Sequence, residues 1–376
     1  MTLTKLIDII PFGPFFVKSI VFLLYVFNKT IFYTLKKNKK SEKIAVLCLQ
    51  KIGDTIFTIP SIRYLNKKFG AKLVVICFED TEILLKKFVD EKLETVCLSR
   101  DDIGYKENLV KFRRLKKIRL RNYQQIYDLT GNIVSFSVLF RLFSERIYGI
   151  NDRFYSIFFN KFTVKEKDDK LTDLFFKVIH LIDDNAKIDL FSAQPIKDIS
   201  KINIILNPFG GWAAKEWNFE KFIKLYNLLR KDFEVLINID SSHNKPIYTE
   251  PFKQNNIKYV VSHNLLELIS FLNDYTFFIG NDSGPLYIAA MLGIPTLTIY
   301  GPTNPMHSMP KEIYHTYIRK EIKCSPQGNE QYCHTSAGRF NCPKFDCMDS
   351  LTVEEVYKHF IDFSKKIIER RFDGRN

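Results

Sequence analysis

The chain has 376 residues, of which 46% are hydrophobic and 26% are charged, and its formal net charge is +14 at pH 7. This length and apolar content suffice for two ordinary domains with a core each, which argues against a disordered protein. The positive charge indicates an anionic partner, although charge alone does not distinguish nucleic acid, acidic lipid and nucleotide sugar.

Residues 1–42 form an apolar and basic N-terminal segment. The stretch Leu6–Leu35 is rich in Ile, Phe, Val and Leu but is interrupted by Pro11, Pro14, Lys18 and Lys29. Its uninterrupted parts are shorter than the about 20 apolar residues of a membrane-spanning helix, and no signal cleavage site follows. We expect an interfacial helix with its aromatic face in the acyl region and its lysines near anionic headgroups. A helix packed on the protein body and a true membrane anchor are the alternatives.

From Lys43 onward, the first half alternates between strands and helices, as a parallel sheet flanked by helices does. Ile44–Leu49 is a continuous apolar run typical of a strand buried on both faces, and a helix is predicted over Thr55–Lys68. Further strands are predicted at Leu73–Cys77, Thr95–Leu98, Gln125–Leu129 and Ile147–Ile150. We assign residues 43–185 to an N-terminal Rossmann-like domain with its linker.

A loop with Lys51, Gly53, Asp54 and Thr55 joins the first strand to the first helix. Gly53 permits a tight turn or the close approach of a ligand, and Asp54 comes at the helix start, at the ligand-binding edge of a parallel sheet. Such a carboxylate can accept the proton of an attacking hydroxyl group. Asp is also a favoured N-cap residue, so helix capping alone accounts for Asp54 without a catalytic role.

A basic run of seven residues follows within an eleven-residue helical stretch: Lys111, Arg113, Arg114, Lys116, Lys117, Arg119 and Arg121. A solvated helix face is the plain interpretation. The stretch has neither the repeated aromatic residues nor the motif of a nucleic-acid-binding module, which disfavours nucleic acid as the partner. The alternative is a surface that meets an anionic acceptor at the membrane, together with the N-terminal segment.

The second half, residues 186–350, repeats the alternating pattern of strands and helices. A helix predicted over Leu171–Ile182 begins the connection from the first half to the second. Strands are predicted at Ile202–Leu206, Phe233–Ile239, Tyr275–Ile279 and Thr296–Tyr300, and helices at Asn218–Arg230, Leu265–Leu272 and Gly284–Leu292. Residues 351–376 form a last helix, and the sequence does not decide which half it packs on. Two similar α/β halves predict a cleft between them, with ligands at the carboxyl ends of the strands.

Two loops of this second half carry groups suited to a diphosphate. In Asn207–Trp217, Gly210 and Gly211 leave room for a bulky ligand and Lys215 supplies a positive charge. In Gly280–Ala290, the amides around Ser283 and Gly284 and the positive end of the next helix suit phosphate oxygens. The alternatives are a solvated lysine in the first loop and helix capping by Asp282 or Ser283 in the second. Gly301-Pro302-Thr303 adds a loop at the same edge.

These segments, in this order, resemble glycosyltransferase family nine, the bacterial ADP-heptose:lipopolysaccharide heptosyltransferases. The resemblance covers about Lys43 to Pro305 and rests on Ile-Gly-Asp followed by Thr-Ile-Pro, and on Gly-Asn-Asp-Ser-Gly-Pro. It implies a GT-B fold, that is, an α/β protein with two Rossmann-like domains facing across a cleft. It further implies an acceptor in the N-terminal domain, a nucleotide-diphosphate heptose donor in the C-terminal domain, and transfer that requires no metal.

The resemblance also assigns roles to residues. Asp54 matches the catalytic base and Lys215 the lysine that stabilises the donor phosphates. Lys51, Gly53 and Thr55 belong to the acceptor-side loop, and the donor-binding residues are Asn207, Gly210, Gly211, Asp282, Ser283, Gly284 and Pro285. Asp240 stands where many relatives offer a carboxylate to the nucleoside, but closer to the strand, so adenine as the base is inferred.

Four of the seven cysteines cluster near the C-terminus, at Cys324, Cys333, Cys342 and Cys347. Four thiols in a weakly structured segment could bind a structural zinc or iron, although the paired spacing of common zinc sites is missing. Free or redox-active thiols and disulfides are the alternatives. The odd cysteine count argues for a reducing compartment.

The sequence thus predicts an inverting glycosyltransferase that transfers a heptose or related sugar from a nucleotide diphosphate, ADP-heptose, to a lipopolysaccharide core or related anionic glycolipid. We expect it in the cytoplasm, bound peripherally to the inner face of the bacterial inner membrane. A nucleotide-sugar epimerase of the same fold is the alternative enzyme, and a polyanion-binding protein is the non-enzymatic alternative.

Overall fold

The computed structural model describes residues 19–20, 22–23, 26–27, 30, 41–103, 121–151, 156–166, 169–187, 202–310, 313–333, 342 and 345–372. The chain divides into two compact units, Met1–Ile188 and Asp189–Asn376. Each unit contains a six-stranded parallel sheet with helices between the strands. The predicted α/β class with two Rossmann-like domains is confirmed.

The strands of the first unit are β1 Ile44–Cys48, β2 Leu73–Phe78, β3 Glu94–Leu98, β4 Arg121–Asn122, β5 Gln125–Asp128, β6 Leu142–Phe143, β7 Ile147–Asn151 and β8 Lys161–Val164. The strand order in its six-stranded sheet is β3-β2-β1-β5-β7-β8. The α-helices are α1 Ile52–Phe69, α2 Glu82–Phe88, α3 Ile133–Leu139 and α4 Leu171–His180. Every residue of β1 and β2 is buried, because helices cover both faces of a parallel sheet.

The strands of the second unit are β9 Asn203–Asn207, β10 Glu234–Asp240, β11 Tyr259–Ser262, β12 Phe277–Asn281, β13 Thr296–Ile299 and β14 His315–Ile318. The strand order in its sheet is β11-β10-β9-β12-β13-β14. The α-helices are α5 Phe219–Leu229, α6 Pro246–Gln254, α7 Leu265–Leu272, α8 Gly284–Met291, α9 Pro305–Ser308, α10 Asp346–Asp349 and α11 Val353–Phe372. The strand order changes direction at β9: β10 and β11 lie on one side of it, and β12, β13 and β14 on the other. Because β9 and β12 pair in parallel, the loops that follow them leave the sheet at the same edge.

The last helix, α11, packs on the second unit, a question that the sequence left open. Phe360 is fully buried and meets Phe277 of β12 edge to face, with ring centroids 5.4 Å apart. The Trp217 indole N–H donates to the carbonyl of Leu351 just before α11, at 3.0 Å. The helix therefore covers the core beneath the loops of this sheet.

The N-terminal segment lies largely outside the described residues. Its described positions are helical, and several apolar side chains there are exposed: Ile20, Phe22, Leu23, Val26 and Phe27. In the described parts of the chain, no helix is long and apolar enough to cross a membrane. Residues 111–120 of the basic run also lie outside the described residues.

Candidate functional site

Lys215 and Asp282 meet at the carboxyl edge of the second sheet. Lys215 ends a short 3₁₀ helix, Ala213–Lys215, in the loop after β9, and Asp282 directly follows β12. The Lys215 Nζ atom lies 2.5 Å from Oδ2 of Asp282, and their side chains are only 14% and 4% exposed. Lys215 is therefore a part-buried, paired cation and not a solvated loop lysine.

The Asp282 carboxylate is surrounded by protein donors. The Thr303 hydroxyl donates to Oδ2 at 2.7 Å, and the Tyr287 hydroxyl donates to Oδ1. Burial alone would raise the pKa of Asp282, but the Lys215 ammonium and these hydrogen bonds outweigh burial and hold that pKa below its ordinary value. Asp282 is thus an anion that fixes a cation, and it does not cap α8.

The network continues into the core behind Asp282. The Tyr300 hydroxyl lies 3.5 Å from that of Tyr287 and 3.1 Å from that of Ser308. Burial, and then the nearby charge of Asp282, raises the pKa of both tyrosines far above the ordinary value. Both rings are therefore neutral hydrogen-bonding groups at any physiological pH. Sequence reasoning missed Tyr287 and Tyr300, because their apolar helix and strand surroundings suggest core packing.

Ser283 leaves a polar group available at the start of α8. It occupies the N-cap position, but its side chain makes no capping hydrogen bond. Its Oγ atom is buried and has no hydrogen-bond partner in the described part of the chain. Gly284 and Pro285 form the first turn of α8. A buried hydroxyl without a partner costs free energy, and together with a helix N-terminus it suits an anionic oxygen of a ligand.

The loop around Lys215, which follows β9, is held by contacts of the other residues predicted to bind the donor and of Trp212. The Trp212 ring lies beneath the ammonium, with its centroid 4.3 Å from Nζ. Gly210 donates its N–H to Glu216 at 3.0 Å, and a Cβ atom on the exposed Gly211 would meet nothing within 4 Å. Asn207 is buried, and its amide donates to the Phe209 carbonyl at 3.2 Å, so this side chain holds the loop.

A second polar group follows β10, the neighbour of β9. Asp240 ends this strand and accepts hydrogen bonds from the Ser242 backbone N–H at 2.8 Å and from the His243 ring at 2.7 Å. These groups hold the pKa of Asp240 below its ordinary value, although burial works in the opposite direction. The His243 ring stacks on Phe209 with centroids 3.7 Å apart. The result is an aromatic wall beside a carboxylate.

In the first unit, Asp54 lies in the first turn of α1 and not at its cap. The helix begins at Ile52, and its N-cap residue is the exposed Lys51, so the prediction of Asp54 as the N-cap residue is wrong. Gly53 and Asp54 are half-buried, whereas Thr55 is fully buried in the body of the unit. A carboxylate in a first helical turn is stabilised by the helix dipole, which favours its charged form.

The loop before α1 is tied to the loop after β5. The Leu49 N–H donates to the Thr130 hydroxyl at 2.9 Å, and the Gln50 amide donates to the Leu129 carbonyl at 2.9 Å. Asp128, at the end of β5, is buried and accepts the N–H groups of Thr130 and Gly131 at 2.8 and 3.1 Å. Burial raises its pKa to about 6. This titratable group was missed, because nothing in the sequence shows that this carboxylate is buried.

The C-terminal cysteines lie against the donor-side loops. The Cys333 N–H donates to the Pro302 carbonyl at 2.9 Å. Burial, and then the charge of the other three cysteines, raises the pKa of Cys347 to about 11. Within the described ranges, however, no three His, Cys, Asp or Glu side chains are arranged to hold a metal ion. A preformed zinc or iron site is therefore not present in these ranges.

Comparison with known proteins gives consistent matches. Residues 111–336 match Glycosyltransferase family 9 (heptosyltransferase). The chain is 27% identical to lipopolysaccharide heptosyltransferase 1 of Campylobacter coli over 300 residues, which cover 69% of this chain and 84% of that protein. The structure is similar to E. coli heptosyltransferase WaaC with ADP-2-deoxy-2-fluoro heptose, with a TM-score of 0.61 and 16% identity over 85% of this chain and 99% of the other.

A further similar structure is the bacterial iron-containing dodecameric glycosyltransferase TibC from enterotoxigenic E. coli H10407. Its TM-score is 0.54, at 13% identity over 88% of this chain and 77% of that chain. At such identities the structural likeness shows the fold, which is the GT-B class predicted from the sequence.

Proposed function

Because the chain belongs to glycosyltransferase family 9 and is a glycosyltransferase, we propose that it transfers a heptose or related sugar from ADP-heptose to a lipopolysaccharide core or related anionic glycan. The observation that carries this proposal is the Lys215–Asp282 pair beside the unpartnered Ser283 hydroxyl at the start of α8. A cation and a helix N-terminus at one sheet edge suit a diphosphate.

On the donor side, the chemistry follows from where negative charge develops. As the bond from the sugar to the diphosphate breaks, the departing phosphate gains charge. Lys215 and the first amides of α8 stabilise that charge more strongly than they stabilise the bound donor, which accelerates the reaction. The transfer step in this proposal uses these groups and requires no metal.

On the acceptor side, Asp54 is the proposed general base. A sugar hydroxyl is a weak nucleophile until a carboxylate accepts its proton, and Asp54 offers a half-buried carboxylate in the first turn of α1. The hydroxyl oxygen then attacks the anomeric carbon opposite the leaving diphosphate, so the configuration inverts. Asp54 lies in the first unit and Lys215 in the second.

For the nucleoside, Asp240 and the His243–Phe209 stack are the proposed contacts. The carboxylate would accept hydrogen bonds from ribose hydroxyls, and the aromatic wall would lie against the base. The WaaC structure contains an ADP sugar, which supports adenine as the base for this chain.

We place the enzyme in the cytoplasm, bound peripherally to the inner face of the inner membrane. The N-terminal positions described carry exposed apolar side chains, such as Leu23 at 66% and Phe27 at 57% exposure. Lysines follow in the same segment, and a helix of this composition binds an anionic interface without crossing it. An anionic glycolipid acceptor would then be reached at the membrane surface.

A structural zinc or iron bound by Cys324, Cys333, Cys342 and Cys347 remains a hypothesis. TibC is described as iron-containing, and the four thiols here influence one another electrostatically. Since no ligand set is preformed in the described residues, metal binding would require the segment to rearrange. No catalytic step depends on this metal.

The decisive experiment incubates the full chain with ADP-heptose, or with UDP- and GDP-sugars, and a truncated core acceptor. Transfer from ADP-heptose with inverted configuration supports the proposal. Conversion of the sugar nucleotide without any acceptor would indicate the epimerase alternative, and absence of both reactions would contradict an enzyme of this specificity.

A further inference from the structure

A single buried side chain holds both ends of the loop that carries Lys215. The Asn281 amide donates through Nδ2 to the Pro208 carbonyl at 2.6 Å, where the loop begins. Its Oδ1 atom accepts the Trp217 backbone N–H at 3.1 Å, where the loop ends. Asn281 is fully buried, and so is Trp217. The two ends of the loop are therefore joined through one amide at the end of β12.

The amide group is chemically suited to this position. The Pro208 carbonyl needs a donor and the Trp217 N–H needs an acceptor, and an asparagine side chain supplies one of each. In a fully buried site, loss of the amide would leave both backbone groups without partners, which destabilises this arrangement of the loop. A neighbouring amide pair strengthens the arrangement, because Asn238 donates to Asn207 at 2.9 Å and Asn207 donates to the loop carbonyl of Phe209.

The middle of the same loop is held by the next residue in sequence. Asp282 pairs with Lys215, while Asn281 holds Pro208 and Trp217. Two consecutive residues, the last of β12 and the one that follows it, thus fix the loop at three points. If the ends of the loop move, the Lys215 ammonium moves away from Asp282 and from the start of α8.

We propose that Asn281 is a positioning residue that acts through Lys215, by fixing the loop 208–217 so that the ammonium is set for a diphosphate before the donor binds. This inference rests on the proposed function, since it assumes that Lys215 contacts the donor phosphates. Positioning before binding lowers the entropy cost of ordering the ammonium when the ligand arrives.

A double-mutant cycle distinguishes positioning from a general contribution to stability. The probe is ADP, whose affinity is measured by calorimetry for the wild type, Asn281→Ala, Lys215→Ala and the double variant. We expect Asn281→Ala to weaken ADP binding about tenfold, which corresponds to about 1.4 kcal/mol. In the Lys215→Ala background the same substitution should change affinity by less than about twofold, because the group it positions is gone.

The matched control is Asn203→Ala. Asn203 lies at the opposite end of β9 in the same sheet, and its amide donates to the Asp274 carbonyl at 3.4 Å. We expect Asn203→Ala to change stability without changing ADP affinity in either background. Additive effects of Asn281→Ala and Lys215→Ala would overturn the inference while leaving the proposed function intact. Wild-type protein that binds no ADP would overturn both.

A spectroscopic readout tests the loop without any ligand. The chain has two tryptophans, Trp212 and Trp217, and both lie in this loop. Release of the loop ends should expose the buried Trp217 and shift the fluorescence emission to longer wavelength in Asn281→Ala, but not in Asn203→Ala. Where Asn281→Ala does not fold, Asn281→Ser retains a polar group and serves for both measurements. Unchanged emission in a folded Asn281 variant would overturn the inference.

Discussion

The Lys215 ammonium and the Asp282 carboxylate lie 2.5 Å apart, although the two residues follow different strands of the second sheet. The Lys215 side chain is 14% exposed and that of Asp282 only 4%, so this is a largely buried ion pair and not a surface one. Removal of one partner leaves the other charge buried without compensation. The predictions about the donor side follow from this dependence.

Lys215→Ala should lower kcat/KM for sugar transfer by about 10²–10³-fold, the usual cost of removing one group that stabilises transition-state charge. Lys224→Ala is the matched control, because Lys224 is an exposed lysine on the neighbouring α5 and should leave the rate unchanged. Steady-state kinetics with ADP-heptose and a truncated acceptor measure both. Equal rates for wild type and Lys215→Ala would remove the lysine from the mechanism.

Asp54→Asn should abolish most of the transfer, by about 10²–10⁴-fold in kcat, because no carboxylate then accepts the proton of the acceptor hydroxyl. ADP affinity should stay within about twofold, since the proposed donor contacts lie in the other unit. Asp173→Asn is the matched control: Asp173 is also an acidic residue in the first turn of a helix, α4, and interacts with its helix dipole in the same way. Comparable loss of transfer in both variants would indicate a helix effect and not a base.

The buried Asp128 should make stability fall as pH rises. Its folded pKa of about 6 lies above the ordinary value of 3.8, so the folded state binds the proton more tightly than the unfolded chain does. The stabilisation from protonated Asp128 is complete below about pH 4 and is lost as pH rises through 6, by at most about 3 kcal/mol. Urea unfolding between pH 4.5 and 7.5 measures this slope.

Asp128→Asn should flatten that slope and stabilise the protein at pH 7. The asparagine keeps an acceptor oxygen for the Thr130 and Gly131 amides but cannot ionise. Asp101→Asn, at an exposed position, should leave the slope as in the wild type. The assignment to Asp128 fails if its variant retains the wild-type pH dependence.

Chelation should leave the transfer rate unchanged, because Lys215 and the α8 amides supply the positive charge at the donor. Activity is measured after dialysis against EDTA, with and without added Mg²⁺. A loss that added metal restores would contradict the metal-independent proposal.

Metal analysis of the purified protein before any chelation tests the cysteine hypothesis separately. Stoichiometric zinc or iron that disappears in Cys324→Ser/Cys347→Ser would confirm it, and metal-free wild type would reject it.

Flotation with anionic liposomes tests the membrane proposal. Replacement of Phe22, Leu23 and Phe27 by serine should reduce the bound fraction severalfold, because apolar burial supplies much of the binding free energy of an interfacial helix. The control replaces Ile247 and Leu266, which are 71% and 59% exposed in the second unit. Deletion of residues 1–40 should abolish flotation, and equal flotation of the deleted and full chains would reject this segment as the attachment.

The sequence was sufficient for the strands and helices that flank the loops after β1, β9 and β12, but not for α6 and β11, which follow the loop after β10. Continuous apolar runs identified β1, β9 and β12, and glycine-rich segments after them identified the loops, because burial on both faces and turn geometry are local properties. Asp54 was assigned correctly to the helix start, but the sequence could not show that α1 begins at Ile52, since Lys51 is not a typical cap residue.

Only the tertiary structure showed which side chains meet. Lys215 and Asp282 are far apart in sequence and become partners because β9 and β12 pair directly, which brings their loops to one edge. The same pairing lets Asn281 hold both ends of the Lys215 loop and lets Tyr287 and Thr303 surround Asp282. Periodicity encodes which face of an element is buried, but contacts between loops depend on the order of strands in the sheet, and that order is fixed by packing of the whole unit.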